Sequence, residues 1–197
     1  FTYENWMDAT KEGNTFVTVG PLAEIRVEGQ FPGSKVELPS SGGTVNVSWK
    51  VESVSLPIDQ VEIIVGGLTH EQVNVNKELF ALESTEVKVE DSTWIALRVR
   101  GSYKGRHGEI AAHTSCVQVI VEGKRIYSQV DAKTILQQIE GAIAYLDTIA
   151  TRPEATRLKQ MRATLEAAHN RMHQQMHRNG VYHDHSPLHY HGHAHEH

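Results

Sequence analysis

The sequence has little of several features that would identify a class of protein directly. Cys116 is the only cysteine, so an internal disulfide and a zinc knuckle built from CxxC pairs are both excluded. There is no run of about 18 or more apolar residues, so no membrane-spanning helix is predicted. The formal net charge is −5 and basic residues form no stripe, which argues against nucleic acid as a partner.

Recognisable catalytic motifs are also missing. The chain contains no GxSxG nucleophile elbow, no GxxxxGK[ST] phosphate loop and no HExxH helix, so an enzyme that works by itself is the least favoured interpretation. Cys116 lies in a strand pattern and is interpreted as a small packed hydrophobic residue. Residues 102–107, SYKGRH, mix aromatic and basic groups and are interpreted as an exposed hairpin tip.

Histidine, in contrast, is abundant and concentrated at one end. Ten of the thirteen histidines lie between positions 169 and 197, and full protonation would move the net charge from −5 to −5 + 13 = +8. His169, His173 and His177 are spaced i, i+4, i+8, so they share one face of a predicted helix, with about 6 Å between neighbours. Two of them could bind one metal ion. Alternatively, they form a solvated face near the end of a helix, where cationic imidazoles are favoured.

The last residues carry a second, denser group of histidines. Their spacing allows many overlapping chelates, which predicts binding of zinc, nickel or copper ions. An engineered tag is one alternative, but tags are usually unbroken histidine runs, so a native tail is favoured; a solvent-facing segment with no metal role stays open. The predicted tail ligands are His183, His185, His189, His191, His193, His195 and His197.

Between residues 15 and 126 the hydrophobic pattern has a period of two. In residues 45–52, VNVSWKVE, the apolar residues all fall on one side of an extended chain, and residues 61–65, 73–75, 87–89, 95–99 and 117–121 behave similarly. Glycine- and proline-containing turns separate these runs at short intervals. We therefore predict a mainly β fold, an antiparallel β-sandwich of seven to nine strands.

After Ile126 the period becomes helical. Ser128 and Asp131 resemble a capping box, Pro153 suits the first turn of a second helix, and Asn179-Gly180 is typical of a helix end. The predicted buried stripes are Ile135, Leu136, Ile139, Ile143, Leu146 and Ile149 in the first helix, and Leu158, Met161, Leu165, Ala168, Met172 and Met176 in the second. These patterns predict a C-terminal α-helical hairpin followed by a flexible His-rich tail.

The start of the chain predicts a helix that Gly13 ends, and the lack of an initial methionine suggests a fragment of a longer protein. The expected organisation is a junction with a missing upstream domain at 1–22, the sandwich at 23–127, the helical hairpin at 128–180 and the tail at 181–197.

Several segments resemble one family of enzymes. Residues 6–9, WMDA, and 13–22, GNTFVTVGPL, are similar to the end of the catalytic domain of PHP-type metallohydrolases of the CehA/McbA group, the carbamate-hydrolase-like proteins. There the pattern runs close to W-x-x-A-x-x-x-G-R-T-F-V-T-N-G-P-L and leads into a β-sandwich. Residues 38–45, 94–100 and 111–115 also match. The chain departs from the pattern at Asn14, Val19 and Cys116, where arginine, asparagine and proline are usual.

This resemblance implies a non-catalytic accessory module. Family members hydrolyse esters, carbamates or phosphoesters with metal ions held by the PHP domain, whose ligand motifs lie before the segments that match here, so no catalytic residue is carried over. The implied partner is the missing catalytic domain of the same polypeptide, with a homodimer as a further option through apolar surface left exposed. We favour an extracytoplasmic location, periplasmic or secreted. The alternative function is metal binding or buffering through the histidine-rich C-terminus.

Overall fold

A computed structural model describes residues 2–148 and 154–181 of the chain. The chain divides into two compact units, Phe1–Ile126 and Tyr127–His197. Within the described residues, the first unit contains one helix and ten strands, and the second contains two helices. The prediction of a mainly β fold followed by a helical hairpin is confirmed, whereas the predicted His-rich tail from residue 182 onward lies outside the described residues.

The first helix, α1, spans Tyr3–Glu12 and has a cap at each end. The Thr2 hydroxyl accepts a hydrogen bond from the backbone N–H of Asn5 at 3.2 Å. At the other end Gly13 adopts a left-handed conformation with φ of 79°, which glycine does without a steric penalty. The predicted helix and its glycine stop are therefore confirmed.

Ten strands follow α1. They are β1 Phe16–Thr18, β2 Leu22–Val27, β3 Lys35–Leu38, β4 Gly43–Glu52, β5 Ile58–Val65, β6 Leu68–Glu78, β7 Phe80–Val89, β8 Thr93–Tyr103, β9 Arg106–Thr114 and β10 Val117–Val121. The prediction of seven to nine strands was too low, because β1 is only three residues long and β9 and β10 are separated by two residues alone.

The strands form two sheets. The smaller sheet has the order β2-β4-β7 and is antiparallel throughout. In the larger sheet, β8 is the central strand: it pairs with β5 along one side, and with β9 and then β10 along the other side. Each of these three neighbours has an outer partner, because β6 pairs with β5, β1 pairs with β9 and β3 pairs with β10. The β3–β10 pairing is parallel, so the prediction of a purely antiparallel sandwich is corrected at this point.

One hydrophobic core joins the two sheets. Alternate residues along β4, among them Val47 and Trp49, are buried, and they share a cluster with Leu97 and Val119 of the larger sheet. Sheets that bury facing apolar sides in this way form a β-sandwich. Trp49 lies in this core as its strand pattern predicted.

Cys116 lies between strands. β9 and β10 run along the same side of β8, where His113 is opposite Arg98 and Val117 is opposite Ile95. Ser115 and Cys116 break this path, and the Cys116 carbonyl accepts a hydrogen bond from Gly33 N–H at 2.9 Å. The Cys116 side chain is partly exposed, so the prediction of a packed strand residue is wrong.

The second unit contains α2, Gln129–Thr148, and α3, Ala155–Arg178. The Ser128 hydroxyl accepts a hydrogen bond from Asp131 N–H at 3.2 Å, as the capping pattern predicted. The two helices are antiparallel, because Asp147 of α2 pairs with Arg162 of α3, whereas the earlier residue Glu140 pairs with the later residue His169. No helix in the described ranges is long and apolar enough to cross a membrane. Ile149 and Pro153 lie outside the described residues.

The helical unit has a small apolar cluster of its own. Ala132 and Leu136 of α2 are buried with Met176 and Val181. Val181 donates its N–H to the Met176 carbonyl at 3.0 Å, and Gly180 donates to that of His177, a pattern that ends a helix through a left-handed glycine. Of the predicted stripe residues, Ile135 and Met161 are exposed, so their assignment to the buried seam is wrong.

Candidate functional site

The structure places the three predicted helical histidines on one face of α3, but not in equivalent surroundings. His169 is only 3% exposed, whereas His173 and His177 are partly exposed. The His169 and His173 rings are nearly parallel, at 20°, with centroids 6.0 Å apart. The His173 and His177 rings are tilted by 54°, with centroids 4.2 Å apart. His173 and His177 therefore form the closer pair.

The neighbour of His169 on α2 is Glu140, a residue that sequence reasoning missed. The His169 Nε2 atom lies 3.3 Å from Glu140 Oε1. A carboxylate accepts hydrogen bonds, so Nε2 is the donor in the tautomer that makes this contact. A protonated imidazole nitrogen cannot bind a metal ion, so this hydrogen bond and metal binding through Nε2 exclude each other. Glu140 could have been found only by aligning the two helices.

Of the predicted metal ligands, the three helical histidines lie within the described residues and the seven tail histidines do not. Across residues 2–148 and 154–181, no group of three or more histidine, cysteine, aspartate or glutamate side chains has an arrangement that could hold a metal ion. The seven tail histidines, from His183 to His197, lie outside the described residues. Binding of zinc, nickel or copper by the tail thus stays a prediction, and within α3 the geometry offers at most two ligands from the histidine trio.

The sandwich has a surface groove of about 450 Å³ beside the β8–β9 hairpin. Its wall includes two apolar side chains, Val19, which follows β1, and Ile110 of β9; they are 61% and 54% exposed. The charged residues Lys104, Arg106 and Glu109 lie on the same wall. The groove therefore combines apolar contact area with charges of both signs, which suits binding to a protein surface.

The segment from α1 to the start of β2 exposes an unusual share of apolar side chains. We call residues 3–22 the N-terminal apolar segment; its exposed apolar residues are Tyr3, Trp6, Phe16, Val17, Val19 and Leu22. None of the ten α1 residues is buried. The end of α1 is close to the β2–β3 loop, because a Cβ added at Gly33 would lie 1.8 Å from the Glu12 carbonyl oxygen.

Near the tip of the β8–β9 hairpin, Ser102 contacts both His107 of β9 and Asp59 of the neighbouring strand β5. The Ser102 hydroxyl lies 2.9 Å from an Asp59 carboxylate oxygen and 2.7 Å from His107 Nδ1. In a hydrolytic triad the carboxylate orients the histidine, but here Asp59 contacts the serine itself and accepts from Gly108 N–H at 2.9 Å. This arrangement fixes the hairpin. Its tip, with Lys104 and Gly105 both at positive φ, is exposed as predicted.

A buried carboxylate lies in the middle of the larger sheet. Glu62 of β5 is 4% exposed and binds Arg98 and Arg100 of β8 through its Oε2 atom. Burial by itself would raise the pKa of Glu62, but the hydrogen bonds and charges of the two arginines outweigh it and hold the pKa below its ordinary value. The alternating polar positions of β5 and β8 carried the only sequence signal for this cluster.

Comparison with known proteins gives a structural likeness but no sequence match. No protein-family model matches the sequence, and no curated protein sequence matches it. Among solved structures, the chain is similar to a protein described as "Structures of Clostridium thermocellum CbhA fibronectin(III)-like modules". That likeness has 13% identity and a TM-score of 0.33, and covers 51% of this chain and 99% of the other.

Proposed function

We propose that this chain is a non-catalytic accessory module that packs against the catalytic domain of a PHP-type metallohydrolase of the CehA/McbA group. Its N-terminal apolar segment would supply the contact. The proposal joins two independent features of the same residues. Residues 6–9 and 13–22 carry the strongest part of the sequence resemblance, and the exposed apolar side chains belong to the same stretch.

The observation that carries the proposal is the state of α1. A ten-residue helix is too short to be stable by itself in water and normally depends on packing of its apolar side. Here Tyr3 is 68% and Trp6 49% exposed, and no residue of the helix is buried. Contact with a further domain would bury these aromatic rings, which are the residue types that contribute most to protein interfaces.

The neighbouring groove extends the same argument to β1 and β9. Val19 and Ile110 expose apolar area there beside Lys104, Arg106 and Glu109. An interface with an apolar centre and a charged rim is typical of specific contacts between domains. The occupant we assign to it is the catalytic domain, whose activity would depend on metal ions bound in that domain and on none of the residues described here.

The proposal can be tested by supplying the catalytic domain as a separate protein. The reading frame upstream of the Phe1 codon would provide its sequence, and calorimetry would measure its binding to the full 197-residue chain. We expect Trp6→Ser and Val19→Ser each to weaken binding at least tenfold, because a large apolar side chain at an interface centre is worth about 1.4 kcal/mol or more.

Leu68→Ser is the matched control, because Leu68 is an exposed apolar residue at the β5–β6 turn. This turn follows Val65, which pairs with Ile95, whereas Ile58 at the opposite end of β5 pairs with Gly101, a residue that lines the groove. This variant should bind as the parent does. An upstream sequence without PHP-type metal-ligand motifs would overturn the proposal. So would equal binding by the Trp6, Val19 and Leu68 variants.

A further inference from the structure

We propose that His173 and His177 form a two-histidine chelate for a divalent transition-metal ion, and that His169 is not part of it. The site would be on α3 and would not depend on the histidines of residues 183–197. Two ligands leave coordination positions for water or an added ligand, so binding would be weaker than at a four-ligand structural zinc site.

The spacing within α3 meets the first requirement of such a chelate. Residues four apart on a helix point the same way, and histidine pairs at this spacing can bind one ion, as in zinc-binding helices. His173 and His177 both lie inside the described helix Ala155–Arg178, with ring centroids 4.2 Å apart. Two nitrogens bound tetrahedrally to one zinc at about 2.05 Å are about 3.3 Å apart, a separation that rings this close can reach.

Ring orientation separates this pair from the pair above it. The nitrogen lone pairs of imidazole lie in the ring plane, so two rings in separate parallel planes cannot direct them to one point, whereas two tilted planes meet along a line where an ion can bind to both rings. His169 and His173 are 20° from parallel and 6.0 Å apart. His173 and His177 are tilted by 54°. The lower pair is therefore the better chelate.

The surroundings also divide the trio. His169 is 3% exposed and its Nε2 lies 3.3 Å from the Glu140 carboxylate, so an ion would have to displace that contact in the interior of the hairpin. His173 and His177 are partly exposed as whole residues, but the Nε2 atom of His173 is buried, so its Nδ1 atom is the one we assign as the ligand. His177 is in the last turn of α3, where the negative end of the helix dipole favours a cation.

The test requires a chain in which the tail cannot compete. We would replace the seven histidines of residues 183–197 with asparagine in the full-length chain and titrate it with Cu(II), which nitrogen ligands bind more tightly than Zn(II) or Ni(II). One ion per chain is expected, with an electron paramagnetic resonance signal split by two imidazole nitrogens.

Single substitutions then assign the ligands. His173→Asn and His177→Asn should each weaken Cu(II) binding at least tenfold and remove one nitrogen from the spectrum. His169→Asn and Glu140→Gln should leave both the affinity, within about threefold, and the spectrum unchanged. His70→Asn, an exposed histidine of β6, is the matched control for loss of an unrelated imidazole.

Circular dichroism shows whether each variant keeps its helices. If His173→Asn lowers the helical signal, His177→Asn in the last turn carries the test by itself. Unchanged affinity in the His177 variant would overturn the proposal, as would loss of binding in the His169 variant with full helical content. Absence of Cu(II) binding in the tail-substituted chain would overturn it as well.

Discussion

The buried carboxylate of Glu62 is stabilised by hydrogen-bond donors from the neighbouring strand. Arg98 and Arg100 both bind its Oε2 atom, while Arg98 also donates to Thr69 at 3.1 Å and Arg100 to the Gly108 carbonyl at 2.9 Å. The network joins β5, β6, β8 and β9 through side chains. Loss of the carboxylate would leave two arginines close together without their shared partner, which is costly where water has limited access.

Replacement of Glu62 by glutamine should therefore destabilise the first unit by about 1–3 kcal/mol at pH 7. The folded-state pKa of Glu62 lies below its ordinary value of 4.5, so its stabilisation is complete above that value and is lost as the pH falls through the folded pKa. Urea unfolding should show a large difference between the parent and Glu62→Gln at pH 7, and the difference should shrink as the pH falls below 4.5.

The control for this charge is Glu24→Gln, which removes a carboxylate of the exposed pair formed with Arg26. Exposed pairs contribute roughly 0–1 kcal/mol, so this variant should unfold almost as the parent does at either pH. A Glu62 effect that does not shrink at any pH below 4.5 at which the parent still folds would show that the carboxylate charge is not its source.

Strands with a buried side could be predicted from alternation, because their own residues carry the signal. The predicted run at residues 117–121 coincides with β10, and those at 45–52 and 61–65 lie within β4 and β5. Other features depend on partners far away in sequence. β1 has no buried residue and is defined by pairing with β9, and the parallel β3–β10 pairing follows from the order of strands in space.

The helical histidine site shows the same limit. Spacing alone predicted that His169, His173 and His177 share a face of α3, as the structure shows. The difference between their surroundings could not be predicted, because it depends on the register in which α2 packs along α3. That register brings Glu140 next to His169 and buries His169, while His173 and His177 stay partly exposed.

The register of the two helices also makes a prediction about adjacent residues of α2. Leu136 is buried with Met176, whereas Ile135 is 42% exposed, although both fit the apolar periodicity. Leu136→Ala should destabilise the helical unit by about 2–4 kcal/mol, because it removes buried methyl groups and leaves a cavity. Ile135→Ala should cost less than about 1 kcal/mol, since alanine is a better helix former than isoleucine.

Urea unfolding followed by circular dichroism at 222 nm measures both variants. Leucine and isoleucine are isomers, so the two substitutions remove the same number of carbon atoms one position apart, and their helix propensities differ by less than about 0.7 kcal/mol. Equal destabilisation by the two variants would contradict the packing of α2 described here.

At the scale of the whole molecule, the two units have separate hydrophobic clusters and separate proposed roles. The cluster of the first unit contains residues of both sheets, and that of the second contains Ala132, Leu136, Met176 and Val181. The proposed domain contact belongs to the first unit and the proposed metal chelate to the second. Each role can therefore be removed by substitution in one unit without changing the core of the other.

This separation predicts that the units respond independently to core substitutions. All three tryptophans, at positions 6, 49 and 94, are in the first unit, so their fluorescence reports its unfolding. The long helices α2 and α3 are in the second unit, so ellipticity at 222 nm reports mainly on that unit.

Val119→Ala, in the sandwich core, should lower the urea midpoint of tryptophan fluorescence and leave the ellipticity midpoint nearly unchanged. Leu136→Ala should do the reverse, because its cavity forms in the helical cluster. If either variant moved both midpoints equally, the chain would unfold as one cooperative body, and loss of one unit's core would necessarily disturb the other's function. Separate movement of the two midpoints would instead show that the two units unfold independently, so that each proposed role can be tested with the other unit intact.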